Sequence, residues 1–406
     1  MHEKPKTTSD FIKKLTERFT QRQWLWIGLG AALTLLLVIT AGVLLSQRSP
    51  AEEAAPPVEE LEPAAPEPKP ELEPDPEPEP DLIYSYLTGL PINEEDLRRR
   101  PVAVVINNIY ASLPQSGIAE ADILYEVLAE GDITRMVAVF QKPEAPKIGS
   151  VRSVRDYFVD FALDYDSILM HHGHSETGDA RIKSLRVDQL DGMKLEGTTF
   201  WRDPERFKQR GMYEHSSYTG AEQIEAAIKR FDFRRFWDDE GEYGYQFNQE
   251  GRPFEEIALE SGWDYRDCTE FSMPFSQNYT RRFVYDPELQ HYLVFNREGP
   301  QIDEALGSGS EAQLHMTNVL MQHVSMHIIP NDEPGRRETA TTGTGNGLLF
   351  TEGICVPVTW SRETHATPTR WYFTDGQPLM LNPGTTFICV LQNNVDVRII
   401  EPQPAE

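Results

Sequence analysis

The longest apolar run in the chain, WLWIGLGAALTLLLVITAGVLL at residues 24–45, passes without a single charge. At a helical rise of about 1.5 Å per residue it reaches roughly 33 Å, so the pattern predicts a transmembrane helix. A cleaved signal peptide is the competing reading, but its apolar core runs about 7–15 residues, shorter than this one. Residues 1–23 form a short charged segment in which Phe11, Ile12, Leu15 and Phe19 fall on one helical face, as in a juxtamembrane helix. Residues 46–85 carry few large apolar side chains, and toward Asp81 proline recurs at nearly every second position with carboxylates between. Fixed φ angles and like-charge repulsion predict a disordered, extended linker there.

Beyond the linker the pattern becomes that of a packed protein. Pro101 to Ile106 is a continuous apolar run closed by Asn107 and Asn108, as in a buried strand followed by a turn. Ile123–Ala129 and Thr134–Phe140 flank Glu130-Gly-Asp132, which suits a hairpin, although the first piece also reads as a helix. Ser150 to Ala162 predicts a helix with Ser150 as N-cap and Val154, Phe158 and Phe161 on one face. Ile168–His172 reads as a strand, and Gly220–Arg230 as a helix with Ala221, Ile224 and Ile228 inward. Strands alternating with helices predict an α/β domain over residues 86–236.

Residues 237–262 are polar and glycine-rich and read as a connection. From 263 to 402, strand-like runs at Arg282–Tyr285, His291–Phe295, Val324–Ile329, Gly347–Phe350, Thr369–Phe373 and Thr386–Leu391 are separated by turn signals such as Asp375-Gly376. That punctuation predicts a mostly-β second domain. The expected fold class is thus a single transmembrane helix plus two globular domains, the N-terminal one α/β and the C-terminal one mostly β.

Charge orients the chain and narrows its partners. The net charge of −27 divides as +4 for residues 1–50, −11 for 51–81 and −20 for the remainder. Basic residues gather before the apolar run, so the N-terminus is expected in the cytoplasm and the domains outside, with the apolar run acting as a signal anchor in the cell membrane. An ectodomain this acidic repels nucleic acid, though solubility alone also accounts for the charge. The cysteines are Cys268, Cys355 and Cys389, too few for a disulfide framework and all far from the apolar run, which leaves no lipid-bearing cysteine beside it. Cys389 has the setting of a buried core thiol, and a Cys355–Cys389 bridge is an open alternative.

Several motifs in order along the chain resemble one family. Arg100-Pro-Val-Ala-Val-Val-Ile-Asn-Asn108, Pro114-Gln-Ser-Gly-Ile118, Ala121-Asp-Ile-Leu-Tyr-Glu126, Ile148-Gly-Ser-Val-Arg-Ser-Val-Arg155, Phe200-Trp-Arg-Asp203 and His215-Ser-Ser-Tyr-Thr219 are similar to the YerB-like bacterial envelope proteins. Asn346-Gly-Leu-Leu-Phe350, Gly353, Trp360 and Asn382-Pro-Gly-Thr-Thr386 continue the likeness to the end of the second domain. The resemblance implies two domains of unknown function on a lipid- or membrane-anchored envelope protein and assigns no catalytic residue. This chain departs from the lipoprotein members in carrying an apolar span in place of their cysteine.

Candidate chemistry concentrates in the first domain. Free backbone N–H groups at the expected start of the Ser150 helix, with Ser150, Ser153, Arg152 and Arg155 around them, suit a carboxylate or phosphate. The alternative is that Arg152 and Arg155 pair with Asp156, Asp160 or Glu126 and hold the domain together. His171-His-Gly-His174 ends a predicted strand, where only His172 and His174 share a face, so a metal would need His215 or Asp179 as a third ligand. Glu126, Glu130 and Asp132 before Arg135 offer a general acid and base, as carboxylates around a turn in an acidic protein often do. Neither a GxSxG elbow nor an HExxH helix is present, and the glycines at 343–347 lack the Gly-Lys-Ser/Thr ending of a phosphate loop. No cofactor is expected. The favoured reading is a membrane-tethered extracytoplasmic module that binds an envelope component or envelope protein through Asn107, Asn108, Glu126, Arg135 and the Arg152/Arg155 region. The alternative is an enzyme acting on cell-wall or lipid-linked material, with His172, His174 and His215 as metal candidates.

Overall fold

The computed structural model describes residues 82–238, 243–297, 299–307, 309 and 312–400. The expected cytoplasmic segment (1–23), membrane helix (24–45) and linker up to residue 81 lie outside the described residues. Among the described residues no helix is long and apolar enough to cross a membrane. The fold takes in the last residues assigned to the linker: Tyr84 bridges Pro91, and the buried Ser85 Oγ donates to Gln141 Oε1 at 2.8 Å.

Both halves of the sequence contribute to one eleven-stranded sheet. From the first half come β1 (Val102–Asn107), β2 (Ile123–Glu130), β3 (Ile133–Phe140), β4 (Ile168–His171) and β5 (Gln189–Asp191). From the second come β6 (Arg266–Asp267), then β10 (Asn318–Val324), β11 (Gly343–Thr351), β12 (Ile354–Arg362), β13 (Arg370–Phe373) and β14 (Thr386–Gln392), while β7 (Glu270–Pro274), β8 (Thr280–Asp286) and β9 (His291–Asn296) build a second, smaller sheet. The large sheet runs β6-β12-β11-β10-β14-β2-β3-β1-β4-β5, with β13 alongside β12. The halves meet where β2 pairs in parallel with β14, Glu126 opposite Cys389.

The burial pattern accounts for this arrangement. Every residue of β1 is buried, and β2 and β14 are buried except at their last residue, as continuous apolar runs covered on both faces should be. In the small sheet β8 and β9 alternate instead, and Phe271, Phe283 and Tyr292 turn inward. Phe271 stacks on Phe350 of the large sheet at 3.8 Å between ring centroids, and Phe283 meets Phe387 at 5.4 Å. Helices α1 (Asp156–Leu163), α2 (Glu176–Leu185), α3 (Ala221–Arg230) and α4 (Phe254–Ser261) complete the core.

The structure differs from the sequence expectation at several points. The helix expected from Ser150 begins six residues later, with Arg155 rather than Ser150 at the N-cap. Residues 150–154 run extended between the ends of β1 and β4: the Arg152 N–H donates to Val105 O at 2.9 Å and its carbonyl accepts from the His172 N–H at 3.0 Å. The 237–262 connection contains α4, whose Phe254 and Ala258 are fully buried, and leads into Trp263, which stacks on Phe373 at 3.6 Å. Strand β12, absent from the runs expected from the sequence, carries Pro357. That proline falls between the short neighbours β6, which pairs at residues 354–355, and β13, which pairs at 358–361, so its missing N–H leaves no partner unserved. All three cysteines are free and buried. Cys389 lies in the sheet opposite Glu126, whereas Cys355 accepts a hydrogen bond from Arg266 Nε at 3.2 Å and has Cys268, not Cys389, as its thiol neighbour.

Because α4 packs into the core, Phe254→Ala should cost about 3–5 kcal/mol in denaturant unfolding of the full chain. A loss under about 0.5 kcal/mol would mean that the segment only connects.

Candidate functional site at the seam between the two halves

Strand β1 closes on Asn107 and Asn108 follows directly, and because successive side chains of an extended chain face opposite ways the two enter different neighbourhoods. Asn108 turns toward the second half of the chain. Its Nδ2 stands 2.7 Å from Glu126 Oε1, 2.8 Å from Thr134 Oγ1 and 2.9 Å from the Tyr279 hydroxyl, while its Oδ1 accepts from Gln115 Nε2 at 2.8 Å. Glu126 and Arg281 form a fork-to-fork pair with both side chains wholly buried: Nε to Oε2 is 2.8 Å and Nη2 to Oε1 is 3.0 Å. The remaining Arg281 donors go to Gln301 Oε1 at 2.8 Å and the Tyr279 hydroxyl at 2.6 Å. Burial disfavours the charge on Arg281, but the Glu126 carboxylate beside it outweighs that and holds its pKa above the ordinary arginine value. Burial pushes the Tyr279 phenol up as well, so it stays protonated.

Above this network opens a cleft of ≈ 190 Å³. Asn108, Thr134 and Tyr279 line it, and Asp132 and Asn278 close one side through an Asn278 Nδ2 to Asp132 Oδ2 hydrogen bond of 2.6 Å that spans the two halves. Tyr110 stands at its mouth, 72% exposed.

Asn107 turns the other way, to His215 Nδ1 at 2.7 Å, on the edge where the parallel strands β1 and β4 end. Arg135 and Arg155 both bind Glu130, Arg135 at 2.8 Å, and also donate to the carbonyls of Ser153 and Val154 respectively. Arg152 pairs with the exposed Glu214 at 3.1 Å. Burial first, and Arg152 second, lower the Arg135 pKa to about 9. Arg155 and Arg152 thus pair with Glu130 and Glu214, not with the Asp156, Asp160 or Glu126 considered from the sequence: Asp156 and Asp160 face Arg181, and Glu126 is bound by Arg281. The cradle of free N–H groups expected at Ser150 is not there, because the N–H groups of Val151, Arg152 and Val154 bond to Ser217, Val105 and Gly173. The Ser150 hydroxyl is buried.

The histidines part company for a local reason. Gly173 takes a φ of 82°, which ends the strand's alternation, so His174 lies near His171, at 6.4 Å between rings, and away from His172. His172 Nδ1 is 2.8 Å from Ser217 Oγ and its Nε2 is 3.0 Å from Arg202 Nη2. Arginine only donates, so Nε2 carries the lone pair and Nδ1–H donates to Ser217. That assignment leaves His172 unable to take the Ser217 proton. Among the described residues no three His, Cys, Asp or Glu side chains stand together as a metal-holding group. Burial lowers the pKa of His172, helped by Arg202, and that of His215, helped by Arg152.

Of the residues singled out in the sequence, the structure thus joins Asn108 with Glu126 in the seam. Asn107, Arg135, Arg152, Ser153, Arg155, His172 and His215 lie along the strand-end edge, and His174 is solvent-exposed. Arg281, Tyr279, Tyr110 and Arg202 were missed. A signal for Arg281 existed: at strand spacing it shares the face of Phe283, an arginine on the inner side of an apolar strand.

Comparison with known proteins follows the same division. The family described as "Protein of unknown function (DUF3048) N-terminal domain" matches residues 87–234, and the DUF3048 C-terminal domain matches residues 271–388. The chain is 31% identical over 309 residues to YerB of Bacillus subtilis (strain 168), named as a candidate lipoprotein; the match covers 75% of this chain and 85% of that one. The crystal structure of the YerB protein from Bacillus subtilis is similar with a TM-score of 0.64 at 29% identity, over 78% of this chain and 99% of that chain.

Two outcomes test this geometry. Arg281→Met should cost about 3–5 kcal/mol because it strands a buried carboxylate, whereas Glu126→Gln combined with Arg281→Met should cost less than the sum of the single changes. Additive effects in denaturant unfolding would contradict the pairing. Separately, because His171, His172 and His215 are held below the ordinary histidine value, the unfolded chain takes protons first on acidification, so stability declines as pH falls below about 6.5. Asp122, pushed up to about 6 by burial, acts oppositely as pH falls through that value and offsets part of the histidine effect there. The melting temperature should therefore drop between about pH 7.5 and 6, and His172→Gln should shrink the drop; a flat profile in the parent chain contradicts it.

Proposed function

We propose, from the premise that the chain belongs to the DUF3048 family of two-domain proteins of unknown function, that it is a binding module tethered at the cell envelope. In this reading residues 24–45 cross the membrane once with the N-terminus in the cytoplasm. The proline-rich spacer from 51 to 81, at about 3.1 Å per residue, lets the folded part reach up to roughly 95 Å from the bilayer. The naming of the YerB relative as a candidate lipoprotein supports an envelope setting.

The observation that carries the binding role is the seam cleft. Its floor of Asn108, Thr134 and the Tyr279 hydroxyl is fixed by the buried Glu126–Arg281 pair, so its polar groups are oriented before anything enters. An enzyme built on Glu126 or His172 as the base would need a free lone pair on that group. Glu126 Oε1 already accepts from Asn108, Thr134 and Arg281, and His172 Nε2 accepts from Arg202. Binding asks only that these groups stay where they are.

A photo-crosslinking residue at Tyr110 of the full-length chain, expressed in its host, tests the proposal. Membranes washed with alkaline carbonate should retain the chain, and the Tyr110 position should yield a discrete envelope adduct absent from a crosslinker at Leu259, which is equally open at 69% exposure on α4. Release of the chain by the wash would overturn the tether. The same adducts from both positions, or none from Tyr110, would overturn the binding seat.

A further inference from the structure

The seam cleft does not end at Tyr110. A wider trough of ≈ 660 Å³ shares Tyr110, Leu113 and Asn296 with it and continues past Pro114, Gln209 and Pro300. Cleft and trough adjoin at these shared residues to make one groove lined from both halves of the chain. Its polar positions are chiefly amides and guanidiniums: Asn108, Asn278, Asn296 and Arg297 in the cleft, Gln209 and Arg206 in the trough. Arg206 is already anchored, donating to the carbonyls of Ser112 and Pro114 at 2.8 Å. Between these positions lie flat apolar surfaces, the exposed Tyr110 ring and the prolines.

We infer that this groove takes a linear glycan with an uncharged backbone, an inference that rests on the seam cleft being the binding seat. A pyranose ring presents an apolar C–H face and a rim of hydroxyls, which matches an aromatic platform flanked by planar donor–acceptor side chains. Cleft and trough, contiguous at Tyr110, offer adjoining seats for successive units of a polymer. Two other linear occupants fit less well. An extended peptide would dock by adding a strand to a sheet edge, but the edge bordering the trough is the two-residue strand Gly299–Pro300, where proline supplies no N–H. A polyanionic chain would meet the −20 net charge of residues 82–406.

Titration calorimetry on the full-length chain in detergent, with chitotetraose as the neutral probe and poly(glycerol phosphate) as the anionic one, tests the inference. Saturable binding of chitotetraose is expected, weakened about tenfold or more by Tyr110→Ala, kept by Tyr110→Phe, and unaffected by Leu259→Ala on α4. No saturable chitotetraose binding, equal binding by Tyr110→Ala, or preference for the phosphate polymer would overturn the glycan assignment. If the Tyr110 crosslinker still captures an envelope component while chitotetraose does not bind, the ligand class falls and the binding seat stands; if both fail, the binding seat falls too.

Discussion

The rest of the structure depends on one wholly buried ion pair, Glu126 with Arg281. Removing two charges from water is unfavourable by several kcal/mol each, and their attraction offsets that only when every remaining donor and acceptor is satisfied. Here they are: Asn108 and Thr134 complete the carboxylate, and Gln301 and Tyr279 complete the guanidinium. Such a pair contributes less to stability than to uniqueness. Glu126 comes from β2 and Arg281 from β8, so the network forms only when the two halves of the sequence are docked in one register. A one-residue slip of β2 against β14 would turn Glu126 to the opposite face of the sheet and leave Arg281 without its counter-charge.

A second buried arginine repeats the device at a distance. Arg362 Nη1 binds Asp164 at 2.9 Å and its Nη2 donates to the Asp160 carbonyl at 2.7 Å, again joining a strand of the second half to α1 and its C-cap residue in the first. Apolar burial along β2 and β14 drives the halves together without direction. The two arginines supply the direction. Rigidity at the seam is then available to function: Asn108, Thr134 and Tyr279, which line the cleft, are outer members of the Glu126 network, so their positions are set by the same bonds that join the halves.

The parts of this account legible in the sequence are those governed by local pattern. The apolar run of β1, the β2–β3 hairpin around Gly131 and the amphipathic α3 lie where periodicity indicated. What pattern alone does not contain is competition from distant partners. Residues 150–154 have helical spacing, but backbone bonds to Val105, Gly173 and Ser217 hold them extended. His172 and His174 alternate correctly for a strand, yet the left-handed Gly173 separates them. Asn108 stands in the sequence at the end of an apolar run and Glu126 among the carboxylates before Arg135, while Arg281, the counter-charge of Glu126, lies 155 positions from it. The seam was readable only as a set of misplaced charges awaiting partners.

If the two halves close into one body around Glu126 and Arg281, they should open as one body. Residue-resolved native-state hydrogen exchange on the full chain measures this directly. The account predicts that the slowest amides of β2, from the first half, and of β14, from the second, exchange with the same opening free energy. A β14 that opens at a distinctly lower free energy than β1, β2 and β3 would show that the halves separate independently, and the seam would then be a contact surface and not the centre of the fold.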